Sequence, residues 1–291
     1  INTTQINSSY NFTSGTSFAA PHVSGAAALL LQKNPELQNQ ELKSLLMTTV
    51  QPVSNAYGQE FSLHESGSGR LDIANAYNAK LIISPTNFVI NFSPEQLSIE
   101  KQLELKLIEG EIEEINVKFE GPEFIEFTHN IKNNKLQIEL NVIGEEYGEH
   151  EGKIFINHEK TQYTIPVLMH YTEGSILVNQ ENEKLFFEIE HPDKWSFAKI
   201  SVTNSKNGNM DTTTTTPNKK TSIEIYENGE YWIEAKIKVN GNTSDAFNTI
   251  KINSLSEKIE KIELTNIPEK QIIIIISIVT IVGIVGLLIR K

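Results

Sequence analysis

Three regimes of hydrophobic and polar spacing divide the chain. From Phe18 to Leu31 apolar and small residues follow one another with little interruption, and Ala19, Ala20, Gly25, Ala26, Ala27 and Ala28 let neighbouring backbones approach closely. This predicts a buried helix that Asn34-Pro35 ends. Pro21 is tolerated there as a first-turn residue, where backbone N–H groups lack intrahelical partners. A second helix is predicted over 39–49, with Leu42, Leu45, Leu46 and Thr49 on its apolar face and Gln40, Glu41, Lys43 and Ser44 on its polar one. Gly67-Ser68-Gly69 then marks a turn before a short helical stretch over 71–79.

From about Leu81 the period shortens to two. Leu97, Ile99, Leu103, Leu105 and Leu107, then Leu136, Ile138, Leu140 and Val142, alternate with polar residues as half-buried strands do. Ile154, Ile156, Tyr163, Ile165, Val167, Met169 and Tyr171 complete a set sized for an immunoglobulin-like sandwich over 81–172. A second set, Leu185, Phe187, Ile189, Ile200, Val202, Tyr231, Ile233, Ala235, Ile237 and Val239, suits a fibronectin-type sandwich over 173–254. Asn228-Gly229 and Asn240-Gly241 are expected to close hairpins. The threonine run before Pro217 is expected in an exposed hairpin loop, with a glycan-bearing segment as the other reading, and Trp195 and Trp232 are expected in core packing.

The third regime is continuous apolarity. Residues 272–289 carry no charge over 18 positions, Ser277 and Thr280 being the polar ones, and as a helix they would cover about 27 Å, near the hydrocarbon thickness of a bilayer. A transmembrane helix is expected at 271–289, after a charged stalk at 255–270. Arg290-Lys291 follows the run, so the positive-inside bias places the C-terminus in the cytoplasm and the bulk of the chain outside the cell, in a single-pass arrangement at the cell membrane. A buried core helix and a cleaved sorting signal are the other readings of the run.

Composition narrows the function classes. A net charge of -12, with no Lys/Arg-rich patch to offset it, repels phosphate backbones, so nucleic acid is not an expected partner. The absence of cysteine removes disulfide scaffolds, thiolate metal sites and cysteine nucleophiles together. The seven histidines show no ligand spacing, so no zinc site is expected, and no cofactor is assigned. Gly67-Ser68-Gly69 lacks the third glycine of a dinucleotide loop. The start, Ile1-Asn2-Thr3-Thr4, has neither an initiator Met nor a signal-peptide pattern, and is expected to belong to a longer or processed protein.

The candidate chemistry sits at Ser17. A serine at a helix start most often caps it. A nucleophile favours the same place, because the positive end of the helix dipole and its free N–H groups suit an oxyanion. Gly15 would let substrate backbone come close. The whole string Gly15-Thr16-Ser17, then Pro21, then Val23-Ser24-Gly25, resembles the serine motif of the subtilisin-like serine proteases, the subtilases. The likeness continues through Pro35-Glu36-Leu37, Glu41-Leu42-Lys43-Ser44-Leu45-Leu46 and Gly67-Ser68-Gly69-Arg70-Leu71-Asp72, covering about residues 10 to 80.

The resemblance implies that Ser17 attacks a peptide carbonyl while a histidine takes its proton and an aspartate orients that histidine. It also implies an α/β fold in residues 1–80, with the serine at the start of a central buried helix. The expected fold class is therefore mixed: the C-terminal part of an α/β subtilisin-like domain, two all-β immunoglobulin/fibronectin-like sandwiches and a transmembrane helix. The resemblance stops short in one respect. In the family the aspartate and histidine segments lie far before the serine, and here only 16 residues precede it. His22, five positions from Ser17, is read as a packed or hydrogen-bonded structural residue. Calcium, frequent in the family, finds no ligand cluster in this sequence. The function expected is a serine endopeptidase acting on proteins or peptides outside the cell, with Ser17 as the acyl-forming nucleophile. The alternative is a surface adhesion protein with an inactive protease-like unit.

Overall fold

The computed structural model describes residues 2–6, 9–109 and 115–253. A short antiparallel ribbon of β1 (Asn2–Gln5) and β2 (Ser9–Phe12) leads into α1 (Thr16–Lys33), α2 (Asn39–Thr48), α3 (Leu63–Ser66) and α4 (Ile73–Asn78). The caps explain where these helices begin. The Gln38 N–H donates to Glu41 Oε2 at 2.9 Å, the Ser62 N–H donates to Glu65 Oε2 at 3.3 Å, and Asp72 Oδ1 accepts from the Asn75 N–H at 2.9 Å.

Two sandwiches follow. The first is built from β3 (Leu81–Ser84), β4 (Phe88–Phe92), β5 (Ser98–Leu107), β6 (Ile115–Glu120), β7 (Ile125–Lys132), β8 (Lys135–Val142), β9 (Gly148–His158) and β10 (Thr161–Tyr171). They form the sheets β3-β5-β8-β7 and β4-β10-β9-β6, with β4 running parallel to β10 and the other pairs antiparallel. This is the strand order of an immunoglobulin-like sandwich whose first strand is shared between the two sheets. Leu103, Leu136, Leu140, Ile154, Ile156, Tyr163, Ile165 and Val167 fill its interior at 0 % exposure, which is what the period of two demands of one face.

The second is built from β11 (Ser175–Glu181), β12 (Lys184–Glu190), β13 (Trp195–Asn204), β14 (Met210–Thr215), β15 (Thr221–Glu224), β16 (Gly229–Val239) and β17 (Asn242–Ile252). Its sheets are β11-β12-β15 and β14-β13-β16-β17, the arrangement of a fibronectin-type sandwich. Near the start of β16 the Tyr231 hydroxyl donates to the Glu227 carbonyl at 2.7 Å, a tyrosine corner that fixes how the chain enters that strand.

The mixed fold class expected from the sequence is corrected by this architecture. Four helices stand against seventeen strands among the described residues, and no parallel sheet accompanies the helices. The helices bury themselves against the first sandwich instead: Leu30, Leu45, Ala76 and Ala79 share one core with Leu81, Ile83, Tyr163 and their neighbours. No helix of the described residues is long and apolar enough to cross a membrane. The stalk at 255–270 and the span at 271–289, with the orientation derived from it, lie outside the described residues.

Smaller expectations change too. Ser44, assigned to a polar face, is 1 % exposed; its hydroxyl donates to the Ile83 carbonyl at 2.7 Å and accepts from the Ile83 N–H at 3.0 Å. Asn240-Gly241 does close the β16–β17 hairpin, with φ of 50° and 89°. Asn228-Gly229 closes none, because it carries the chain from β15 in one sheet to β16 in the other. The threonine run forms the edge strand β14, as β-branched side chains favour, and Trp232 faces solvent at 54 % exposure.

Candidate active site

Helix α1 starts at Gly15, whose φ of 149° is a backbone conformation that side-chain-bearing residues rarely adopt. No side chain caps this end. The Phe18 and Ala19 N–H groups turn back to the Gly15 carbonyl at 3.0 and 3.2 Å, which leaves those of Thr16 and Ser17 at the open end of the helix. Ser17 is therefore not the cap. It is exposed in the first turn, and its hydroxyl has no hydrogen-bond partner among the described residues.

Pro21 stands one turn further in than expected, as the sixth helical residue. A proline there offers no N–H to the carbonyl four residues back, which is that of Ser17. The turn carrying the candidate nucleophile is thus joined to the helix by one bond fewer than its neighbours. His22 does not come to Ser17: its Nδ1 lies 2.8 Å from the Phe18 carbonyl, and the residue is exposed rather than packed under a sheet.

The helix expected to be buried is mostly exposed. Ala26 and Leu30 are its buried residues, whereas Phe18, Val23, Leu29 and Leu31 are 37 to 48 % exposed. α2 and α4 cover one side of it, and the described residues leave the rest open. Lys33 fastens its C-terminal end, donating to the Tyr77 carbonyl at 2.6 Å with its ammonium 4.7 Å above the Tyr77 ring.

The seam between the helices and the first sandwich has a buried centre and an exposed rim. The Tyr163 hydroxyl oxygen accepts from the Lys80 and Leu81 N–H groups at 3.0 and 2.9 Å, and burial raises its pKa above the ordinary tyrosine value. The Leu63 N–H donates to Glu151 Oε1 at 2.8 Å, and ion pairs join Glu60 to Lys153 and Glu41 to Lys106. The Gln38 N–H holds the Glu41 carboxyl below the usual glutamate pKa, with Lys106 assisting. In the same way the Asn75 N–H lowers Asp72. Gly69 closes this region, since a Cβ there would lie 2.6 Å from the Gln51 carbonyl. Sequence reasoning missed α3, although Ser62 and Glu65 carry the S-x-x-E spacing that announces a helix start.

The structure places Ser17 at an exposed helix N-terminus and brings no second catalytic group to it among the described residues. Comparison with known proteins concerns the same segment. The Subtilase family matches residues 1–69. The chain is 38% identical over 86 residues to the subtilisin-like protease SBT1.6 of Arabidopsis thaliana, a stretch that covers 27% of this chain and 11% of that protein. It is 30% identical over 79 residues to the minor extracellular protease Vpr of Bacillus subtilis, covering 27% and 10%. With the autotransporter lipoprotein NalP of Neisseria meningitidis it shares 47% identity over 64 residues, covering 22% and 6%. The chain thus spans about a tenth of the length of the curated relatives it matches. Among solved structures, the adhesin InvE of Yersinia pseudotuberculosis superposes with a TM-score of 0.24 at 14% identity, covering 65% of this chain and 62% of that one. A likeness that low carries no argument, and the sandwiches rest on their own strand order.

Proposed function

We propose, from the premise that residues 1–69 belong to the subtilase family of serine proteases, that Ser17 is the nucleophile of a serine-type endopeptidase acting outside the cell. The observation that carries this reading is the setting of Ser17, in the first turn of α1 behind a glycine-only backbone position, with a hydroxyl that caps nothing. There the open N–H groups and the dipole favour the negative oxygen that forms when a hydroxyl adds to a peptide carbonyl. The Ser17 oxygen would bond to the carbonyl carbon while its proton passes to a base; the amide C–N bond then breaks and the leaving amine takes a proton, giving an ester on Ser17 that water hydrolyses. Among the described residues no histidine or aspartate is brought to Ser17, so these residues by themselves are not proposed to be active. An extracellular setting is supported by the relatives described as an extracellular protease and as an autotransporter.

Labelling with a serine-reactive fluorophosphonate tests the assignment in the protein as it is expressed. Native protein should take up the label and cleave an unfolded protein substrate, and Ser17→Ala should do neither. Uptake undiminished in Ser17→Ala moves the nucleophile elsewhere. No uptake by the native protein leaves the adhesion reading in its place.

A further inference from the structure

The two sandwiches meet across a short strap, Thr172-Glu173-Gly174, between β10 and β11. The Thr172 hydroxyl lies 2.8 Å from the Gly174 carbonyl and 3.2 Å from that of Phe92, which sets where the strap leaves the first sandwich. Beside it, His170 of β10 turns its ring edge-on to Phe247 of β17, with centroids 4.7 Å apart and planes at 83°. His170 Nε2 is buried without a hydrogen-bond partner. Its nearest carboxylate oxygen, Glu149 Oε2 on β9, is 3.7 Å away, beyond hydrogen-bond range, and the other oxygen of that carboxylate is 2.8 Å from His64 Nε2 on α3. The imidazole is thus held at the joint by a ring contact and by burial, its side chain being 19% exposed.

We propose that His170 is an acid-operated release for the joint between the sandwiches: its neutral ring docks on Phe247, and taking up a proton favours the second sandwich leaving the first. The sign is set by the burial of a ring nitrogen that has no hydrogen-bond partner, because the carboxylates that would hold a proton on it are engaged elsewhere. From β9 it is faced by Glu149, whose other carboxylate oxygen is already engaged by the His64 ring. Asp245 on β17 and Glu234 on β16 also face it, but both share Lys236 at 3.4 and 2.9 Å. Tyr147 and Glu173 line a cleft together with His170, Asp245 and Phe247. The carboxylates are therefore partly spent on other partners, while a charged imidazole in this seat loses its water. Burial accordingly pushes His170 below the ordinary histidine value, against the pull of Glu149, Asp245 and Glu234.

The sign of the pH dependence follows. If the undocked ring titrates at the ordinary value of 6.5, a docked state that disfavours the proton has its full strength above about that pH. It weakens as pH falls from there to the docked-state value and then stays constant. One proton can change the open-to-closed ratio by no more than about tenfold per pH unit.

The chain contains no cysteine, so Asn130→Cys on the first sandwich and Thr214→Cys on the second, both exposed, can carry one pair of fluorescent or spin labels in the full chain. Between pH 8 and pH 5 the distance distribution should move to longer values. His170→Gln should remove that response, and Phe247→Ala should give the long distances already at pH 8. An unchanged distance over this range, or a full response in His170→Gln, overturns the proposal. Should His170→Gln not fold, the native protein still decides: the ring-proton NMR titration of His170 must share its midpoint with the distance change, and separate midpoints overturn the assignment equally.

Discussion

The helices meet the first sandwich through a buried core, whereas the two sandwiches meet through a strap and a ring contact. At the first seam Leu45, Ala76 and Ala79 pack with Leu81 and Ile83, and buried hydroxyls of Ser44 and Tyr163 satisfy backbone groups of Ile83, Lys80 and Leu81. At the second, Thr172 bonds to carbonyls and His170 leans on Phe247 with no hydrogen bond from its Nε2. Apolar area and satisfied buried donors make a seam that opens only by unfolding. A seam of few contacts, with a titratable ring among them, separates at a far smaller cost. The helical unit that carries Ser17 and the first sandwich are therefore one cooperative body, and the second sandwich is a neighbour.

That contrast is most severely tested by Leu45→Ala, which removes a side chain 1% exposed from the shared core. The loss should be about 2–5 kcal/mol. In urea unfolding it should shift the helices and the first sandwich together while leaving the transition of the second sandwich in place; separate shifts for helices and first sandwich would dissolve the single body. Tyr163→Phe keeps the ring and strips the acceptor from two backbone N–H groups, and should cost about 1–3 kcal/mol in the same transition. A value near zero would mean that water reaches those groups.

The smallest effect is electrostatic. Glu41 is held below the usual glutamate pKa, first by the Gln38 N–H and then by Lys106 of the first sandwich. A depressed carboxyl stabilises the folded state above its unfolded value, and that contribution disappears as pH falls through the folded one. Stability measured by thermal unfolding should thus decline below about pH 4.5, and Glu41→Gln should decline less over that interval. An equal decline in both proteins would sink the role given to this pair.

Both sandwiches were legible in the sequence because one-sided burial forces a period of two, and Leu136, Ile138 and Leu140 or Ile233, Ala235 and Ile237 display it without reference to partners. Contacts that depend on a partner were not legible. Ser44 looks like a solvent-facing helical serine until β3 arrives to use its hydroxyl. The Thr212-to-Thr215 stretch looks like a loop by composition, although each side chain is a good strand former. For α1 the string showed how apolar the helix is and nothing of what covers it, so burial was expected where the described residues supply little cover. The position of Ser17 was legible from the motif, but its freedom from capping was visible only once Gly15 proved to be the cap.

Pro21 has a further effect on the end of α1 that carries Ser17. A main-chain oxygen at a helix start normally disappears into the spiral of bonds above it, but the Ser17 oxygen loses the donor that residue 21 would otherwise supply. In this exposed turn the oxygen is left to water or to the amide hydrogen of Ala20, one residue short of the usual partner. Pro21 thus leaves the ladder of α1 one rung short at the end that carries Ser17.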